Sequence, residues 1–225
     1  MKKTAFFFLV FLVVVSGSGA SAWGSLVSQD FLAPGDGLIT FDSETGLEWL
    51  DLSATSAHSY LELKGGYGEF LTTHGFHYAD GNDLYTLYQH AGVVIFGVPG
   101  NYSANAATYY ALNGAGVKNL LNLMSATFSI PPSTFQEAVG MYVLYDPAGN
   151  SSALKAGSVH LNEGALESWV TISDTPYAPG QDTKSFLYGS YLVRDALPVP
   201  LPSAFVFLGA GLAALLGLKR GLQKT

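Results

Sequence analysis

Two uncharged, apolar blocks near opposite ends of the chain constrain everything between them. The first, Ala5 to Val15, has eleven residues, and the second, Ser203 to Leu218, has sixteen. Neither has a polar side, so neither suits a surface helix of a globular domain, which needs one face for the core and one for water. Both are also shorter than the roughly 20 apolar residues of an ordinary membrane span.

Their flanks distinguish them. Lys2 and Lys3 precede the first block, and a small, polar stretch ending Ala20-Ser21-Ala22 follows it. That order is the basic, apolar and cleavage-site sequence of a secretory signal peptide. It predicts a signal over residues 1–22, cut between Ala22 and Trp23. The second block starts behind prolines at 198, 200 and 202, which cannot continue a helix inward. As a helix it is about 24 Å long, and Lys219 and Arg220 can snorkel to make up part of the deficit. The sequence therefore predicts a transmembrane helix over 203–218, a stop at Lys219 and Arg220, and a basic tail over 219–225. The positive-inside rule keeps that tail in the cytoplasm, while the signal sends the middle outward. The two ends agree on orientation.

The middle, 23–197, is about 175 residues, enough for one domain with a good core. All seventeen acidic side chains fall between Trp23 and Pro202, against five basic ones, a formal charge of −12. Such a surface repels phosphate backbones, so nucleic acid is not an expected partner. The chain has no cysteine, which excludes thiol catalysis and thiolate metal sites. Its 14 Phe, 13 Tyr and 3 Trp are far too many for a disordered stalk.

Periodicity sets the expected elements. Gly37 to Leu52 alternates around Ser43-Glu44-Thr45-Gly46 and reads as a β-hairpin. Tyr60, Leu63, Tyr67, Phe70 and Leu71 predict a helix over 56–71, weakened by Gly65-Gly66. Phe76 to Ala79 is a short extended piece, and Val93 to Val98 a buried strand or loop. Asn82 or Asp83 is expected to cap a helix with Leu84, Leu87, Tyr88 and Ala91 on one face. Residues 104–125 predict a helix with Tyr109, Leu112, Leu120, Leu121 and Met124 in the core, open to a split at Asn113-Gly114. Strands follow at 138–145, 157–161, 168–172 and 186–193. Hairpin, helices and then a strand meander make an α+β domain, whose last strand can return to the first hairpin.

Chemistry-bearing residues are sparse. His74-x-x-His77 with Asp80 has imidazole and carboxylate ligand types, but Gly75 separates the pair and no third histidine lies close by, which favours turn histidines over a metal site. Asp80-Gly81-Asn82-Asp83 lacks calcium-loop spacing and reads better as a turn and helix cap. Glu48 and Asp51 flank Trp49 as acid–base pairs do in sugar-processing enzymes, yet in a strand they point to opposite faces. The simpler reading is a core Trp49 between solvated acids. No nucleotide or cofactor fingerprint and no nucleophile elbow occurs, so no catalytic, cofactor or metal residue is expected. Asn101-Tyr102-Ser103 and Asn150-Ser151-Ser152 match the glycosylation sequon.

Val199-Pro200-Leu201-Pro202, a short Gly/Ala/Leu helix and a Lys-Arg stop resemble the PEP-CTERM sorting signal in its VPLP-type variant, with Leu201 where the family usually has glutamate. The resemblance covers about the last 27 residues. It implies export in a Gram-negative bacterium that makes exopolysaccharide, and transient inner-membrane anchoring. It also implies recognition by an exosortase, a membrane cysteine transpeptidase that removes the tail and leaves the product at the cell surface or in the matrix. Thr45 to Leu52, Gly75 to Ala79 and Gly189 to Arg194 are similar, more distantly, to the lectin-like C-terminal domains of collagen-like adhesins. The middle motif there usually reads W-R-x-[AP]-T, from which His77, Tyr78 and Asp80 depart.

Three functional classes remain. The first is a non-enzymatic protein of the envelope or exopolysaccharide matrix, sorted through Val199, Pro200, Leu201 and Pro202. The second is a carbohydrate-binding module using aromatics such as Tyr102, Tyr109 and Tyr110, with extracellular polysaccharide as partner. The third is a hydrolase built on Glu48, His77 and Asp80.

Overall fold

The computed structural model describes residues 26–95, 97–98, 101–104, 110–145, 152–173 and 180–196. The chain separates into two units, 1–195 and 196–225. The signal peptide, the sorting motif and the 203–218 segment lie outside the described residues. Among those described, no helix is long and apolar enough to cross a membrane.

The domain is α+β, with two sheets. The first has the order β1-β2-β3-β12-β4, from Leu26–Gln29, Ile39–Asp42, Leu47–Leu50, Leu192–Asp195 and His77–Tyr78. β2 and β3 are the expected hairpin, and β12 does return to it, pairing Val193 with Trp49 and Arg194 with Glu48. Its other edge pairs with β4, so the last strand fills an interior place in the first sheet. The second sheet has the order β11-β8-β9-β10-β6-β5, with β7 also paired to β8. Its strands are Gly189–Ser190, Phe135–Tyr145, Ser152–Asn162, Glu167–Ser173, Asn101–Ala104 and Gly97–Val98, with β7 at Phe128–Ile130. β8, β9 and β10 form the expected antiparallel meander, while β11 lies parallel to β8.

Three helices complete the fold: α1 (Tyr60–Lys64), α2 (Gly81–His90) and α3 (Tyr110–Met124). Alternation along the meander turns Ala138, Val159 and Val170 onto one face, where Leu84, Leu87 and Tyr88 of α2 and Val117, Leu120 and Met124 of α3 join one buried core with them. A second core of Ile39, Leu50, Leu63, Phe76, Tyr78, Met141, Val143 and Leu192 fills the opposite side of the first sheet.

Several expectations need correction. The helix over 56–71 is one turn and a half, Tyr60–Lys64, capped by Ser59 in a capping box with Glu62. Gly66 at φ 102° turns the chain left-handed and stops it, so Tyr67–Glu69 forms a separate 3₁₀ turn. Asp80, not Asn82 or Asp83, caps α2: its carboxylate accepts the Asn82 and Asp83 N–H groups, and Asp83 reaches back to the Asp80 N–H. α3 does not split at Asn113-Gly114. Buried Asn113 spends its amide outside the helix, accepting from Val94 N–H and donating to Val94 C=O, both at 2.9 Å. Leu112 is exposed rather than in the core. Tyr109 lies outside the described residues.

The largest correction concerns 186–193. Phe186 is exposed, and the segment is two short strands in different sheets, divided at Tyr191. The Tyr191 N–H donates to Met141 C=O of the second sheet at 2.8 Å, and its own carbonyl accepts from Ala79 beside β4 at 2.9 Å. Ala79 C=O in turn accepts from Val143 N–H at 2.9 Å. The Tyr191 ring is buried over Gly140, where a Cβ would stand 2.5 Å from ring carbons. Gly140→Ala should therefore lower unfolding stability by about 1–3 kcal/mol in urea titration, since neither the ring nor the strand beneath it has room to move. A stability equal to that of the parent chain would mean the ring is not held as described.

Candidate functional site

The residues singled out in the sequence do not converge. Glu48 and Arg194 are cross-strand partners on the face of the first sheet that carries Leu50 and Leu192. Arg194 Nε and Nη2 both meet Glu48 Oε2 at 2.7 Å, and Nη1 donates to His74 C=O at 2.8 Å. The guanidinium carbon also stands 4.5 Å from the Phe76 ring centroid and 5.4 Å from that of Phe31. Glu48 is thus a buried ion-pair partner, not a solvated acid. His77 pairs with Val193, and Val193 with Trp49, so its register places it on the opposite face from Glu48.

Asp51 is buried too. It caps a 3₁₀ turn at Leu52–Ala54 through the Ser53 N–H and accepts from the Ser125 hydroxyl at 2.7 Å. Trp49 is in the core as expected. His74 packs edge-on against Phe31. Exposed His77 lies in strand β4 rather than in a turn. Asp80 and Asp83 are consumed by the helix cap. Among the described residues, no group of three His, Asp or Glu side chains is arranged for a metal ion. Tyr110 is half-buried at the start of α3. Asn101 to Ser103 lie in β6, and Asn150 and Ser151 lie outside the described residues.

Three constellations escaped the sequence reading. The first joins the hairpin turn to α2: His90 Nδ1 meets Asp42 Oδ2 at 2.7 Å and Nε2 meets Glu44 Oε2 at 3.0 Å. Burial pushes the Asp42 carboxyl up, but hydrogen bonds from His90, Thr45 and Glu44 outweigh it and hold the group below its ordinary value. Both ring nitrogens are spent on carboxylates, which makes this a clamp. The residues are 48 apart in sequence, and no local pattern announces them.

The second lies on the meander face turned away from the helices. Glu137, His160 and Trp169 form one cross-strand row. The His160 and Trp169 rings stack at 3.3 Å between centroids, and Phe135 meets His160 edge-on at 4.4 Å. His160 is buried and neither ring nitrogen has a hydrogen-bond partner. Burial lowers its pKa from 6.5 to about 4. Burial also raises the Glu137 carboxyl above its ordinary value.

The third is a cleft of about 400 Å³ where β4 meets β8. It is lined by Tyr60 and Lys64 of α1, by Leu71 and Thr72, and by Phe76 to Tyr78 with Val143. The Tyr60 and Tyr78 rings lie 5.0 Å apart at 46°. The Tyr78 hydroxyl is bonded to Ser190 Oγ at 3.3 Å, and burial pushes its pKa up to about 12, so it works only as a neutral phenol. A concave space of this size, lined by polar and apolar groups in similar measure, has room for a small ligand.

No family model matches the chain, and neither a curated protein nor a solved structure matches it.

The His160 stack carries a pH prediction. Because the folded-state pKa lies below the ordinary 6.5, the unfolded chain takes up a proton there while the folded one waits until about pH 4. The stabilisation is complete above pH 6.5 and is lost progressively as pH falls between those values. His160→Phe should flatten this part of a urea-midpoint profile by up to one proton's worth of slope. An unchanged profile would mean that His160 takes up its proton equally in the folded and unfolded chains, so that burial does not depress its pKa.

Proposed function

We propose that this is an exported protein of the bacterial envelope or exopolysaccharide matrix, sorted and trimmed at its C-terminus by an exosortase-type transpeptidase, and acting by binding rather than catalysis. The single observation that carries the reading is the pair of terminal signals enclosing one domain. The signal peptide over 1–22 directs the middle outward, and Val199-Pro200-Leu201-Pro202, the short apolar segment and Lys219-Arg220 hold it at the inner membrane until processing.

Replacing Val199 to Pro202 by alanines in a Gram-negative host that carries an exosortase tests this. The precursor should stay at full length in the membrane fraction while the parent protein is shortened and released. Equal processing and release of both proteins would contradict the sorting role.

A second reading refines the first: the domain binds extracellular polysaccharide. The cleft beside β4 favours it, because the half-buried Tyr60 ring can pack on the C–H surface of a pyranose and Thr72 adds a hydroxyl to the lining. The hydrolase reading has no comparable support. Glu48 is committed to Arg194, Asp80 to its helix, and His77 stands across the sheet from Glu48.

A further inference from the structure

The charge pattern of the domain sharpens what the cleft would hold. Acidic side chains outnumber basic ones by seventeen to five between Trp23 and Pro202, so carboxylate partners are plentiful. Lys118 is paired with Glu163, Lys184 with Glu62 and Arg194 with Glu48. Lys155 is engaged as well. Lys64 is the exception. Among the described residues it has no carboxylate within ion-pair distance, and its Nζ stands 5.8 Å from the Tyr60 ring centroid, on the wall of the cleft. In a domain with this excess of acids, exposed Lys64 beside a ligand-sized space is free to pair with an external anion.

The geometry points to a carboxylated pyranose, a uronide residue of an acidic polysaccharide, as the occupant of this cleft. We propose that Lys64 takes the sugar carboxylate, that Tyr60 presents its face to the ring, and that the Thr72 hydroxyl of the lining meets a sugar hydroxyl. Only contacts form and no bond is broken. The assignment rests on the polysaccharide-binding reading above and adds the charge of the ligand and the residue that reads it. It also accounts for how an acidic domain takes an acidic polymer. The bulk of its surface repels the chain, and the one cation left unpaired among the described residues, exposed Lys64 beside the Tyr60 ring, selects where a sugar can dock, which favours specificity over general adhesion.

The test is calorimetric titration of the full chain in a neutral detergent with a tetragalacturonate, with a neutral tetraglucoside, and with acetate and inorganic phosphate as charge-only probes. The tetragalacturonate should bind at least tenfold more tightly than the other three, and more weakly as NaCl rises. Lys64→Gln should lower its affinity about tenfold or more, Lys64→Arg should retain most of it, and Lys118→Gln should leave it unchanged. Circular dichroism melting identifies any variant that fails to fold, and Lys64→Met, which keeps the chain length without the charge, then takes the place of Lys64→Gln. Equal binding of acetate or phosphate, or a tetragalacturonate affinity indifferent to Lys64, overturns the uronide assignment. Binding of the tetraglucoside as tight as that of the tetragalacturonate overturns it too, but leaves the polysaccharide reading standing. Binding of neither sugar overturns both.

Discussion

A short backbone relay through Tyr191 and Ala79 ties the two sheets together. Tyr191 donates its N–H to Met141 in the second sheet, and its carbonyl accepts from Ala79 at the edge of the first. On either side the chain runs in different company: Gly189–Ser190 lies parallel to β8, and Leu192–Asp195 fills the place between β3 and β4. The side chain repeats the junction, lying over Gly140 and bonding its hydroxyl to that of Tyr88 at 3.1 Å. Buried backbone groups must be paired, and removing this segment would orphan donors and acceptors in both sheets at once. It would also expose Trp49, Leu50 and Leu52, since Val193, Leu192 and Tyr191 belong to the cores that contain them.

The cleft depends on the same junction. Its Phe76, Tyr78 and Val143 walls come from the first sheet's edge and from β8, which are joined through Ala79 and Tyr191. Arg194 then fixes Phe76 from behind by standing over its ring while it neutralises Glu48. That ion pair joins residues 146 apart in sequence. Removing either partner would leave the other as an uncompensated buried charge, a cost larger than the pair itself contributes. The strand that completes the first sheet, Leu192–Asp195, comes last in the domain's sequence, so the fold closes only once nearly all of the domain is available to pair. Such non-local closure is slow compared with hairpin formation.

Local physics explains which parts were legible in the sequence. The β2–β3 hairpin and the β8–β10 meander follow from alternation, which needs no knowledge of distant partners. The α2 stripe of Leu84, Leu87 and Tyr88 was legible for the same reason, although its cap was misplaced by two or three residues because every residue from Asp80 to Asp83 except Gly81 is a good cap former. The 56–71 pattern misled because apolar residues at helical spacing continue across Gly66, where the backbone turns left-handed. The split at Tyr191 left no mark, since a buried aromatic between two extended pieces looks like one strand.

The site residues were less legible still. Glu48 and Asp51 read as solvated acids because acids usually are, and only their partners Arg194 and Ser125 explain their burial. Lys64 had no local signal at all. Its interest comes from what is missing around it, and a missing partner is a property of the folded surface.

Native-state hydrogen exchange on the full chain tests the central claim most directly. If the Tyr191 junction holds the sheets together, the amides of Tyr191 and Ala79 exchange only through global opening, with the same free energy as Val159 in the centre of the meander. Exchange at those two positions through a markedly cheaper local opening, while Val159 stays protected, would show that the last strand is an ornament on a domain stable without it.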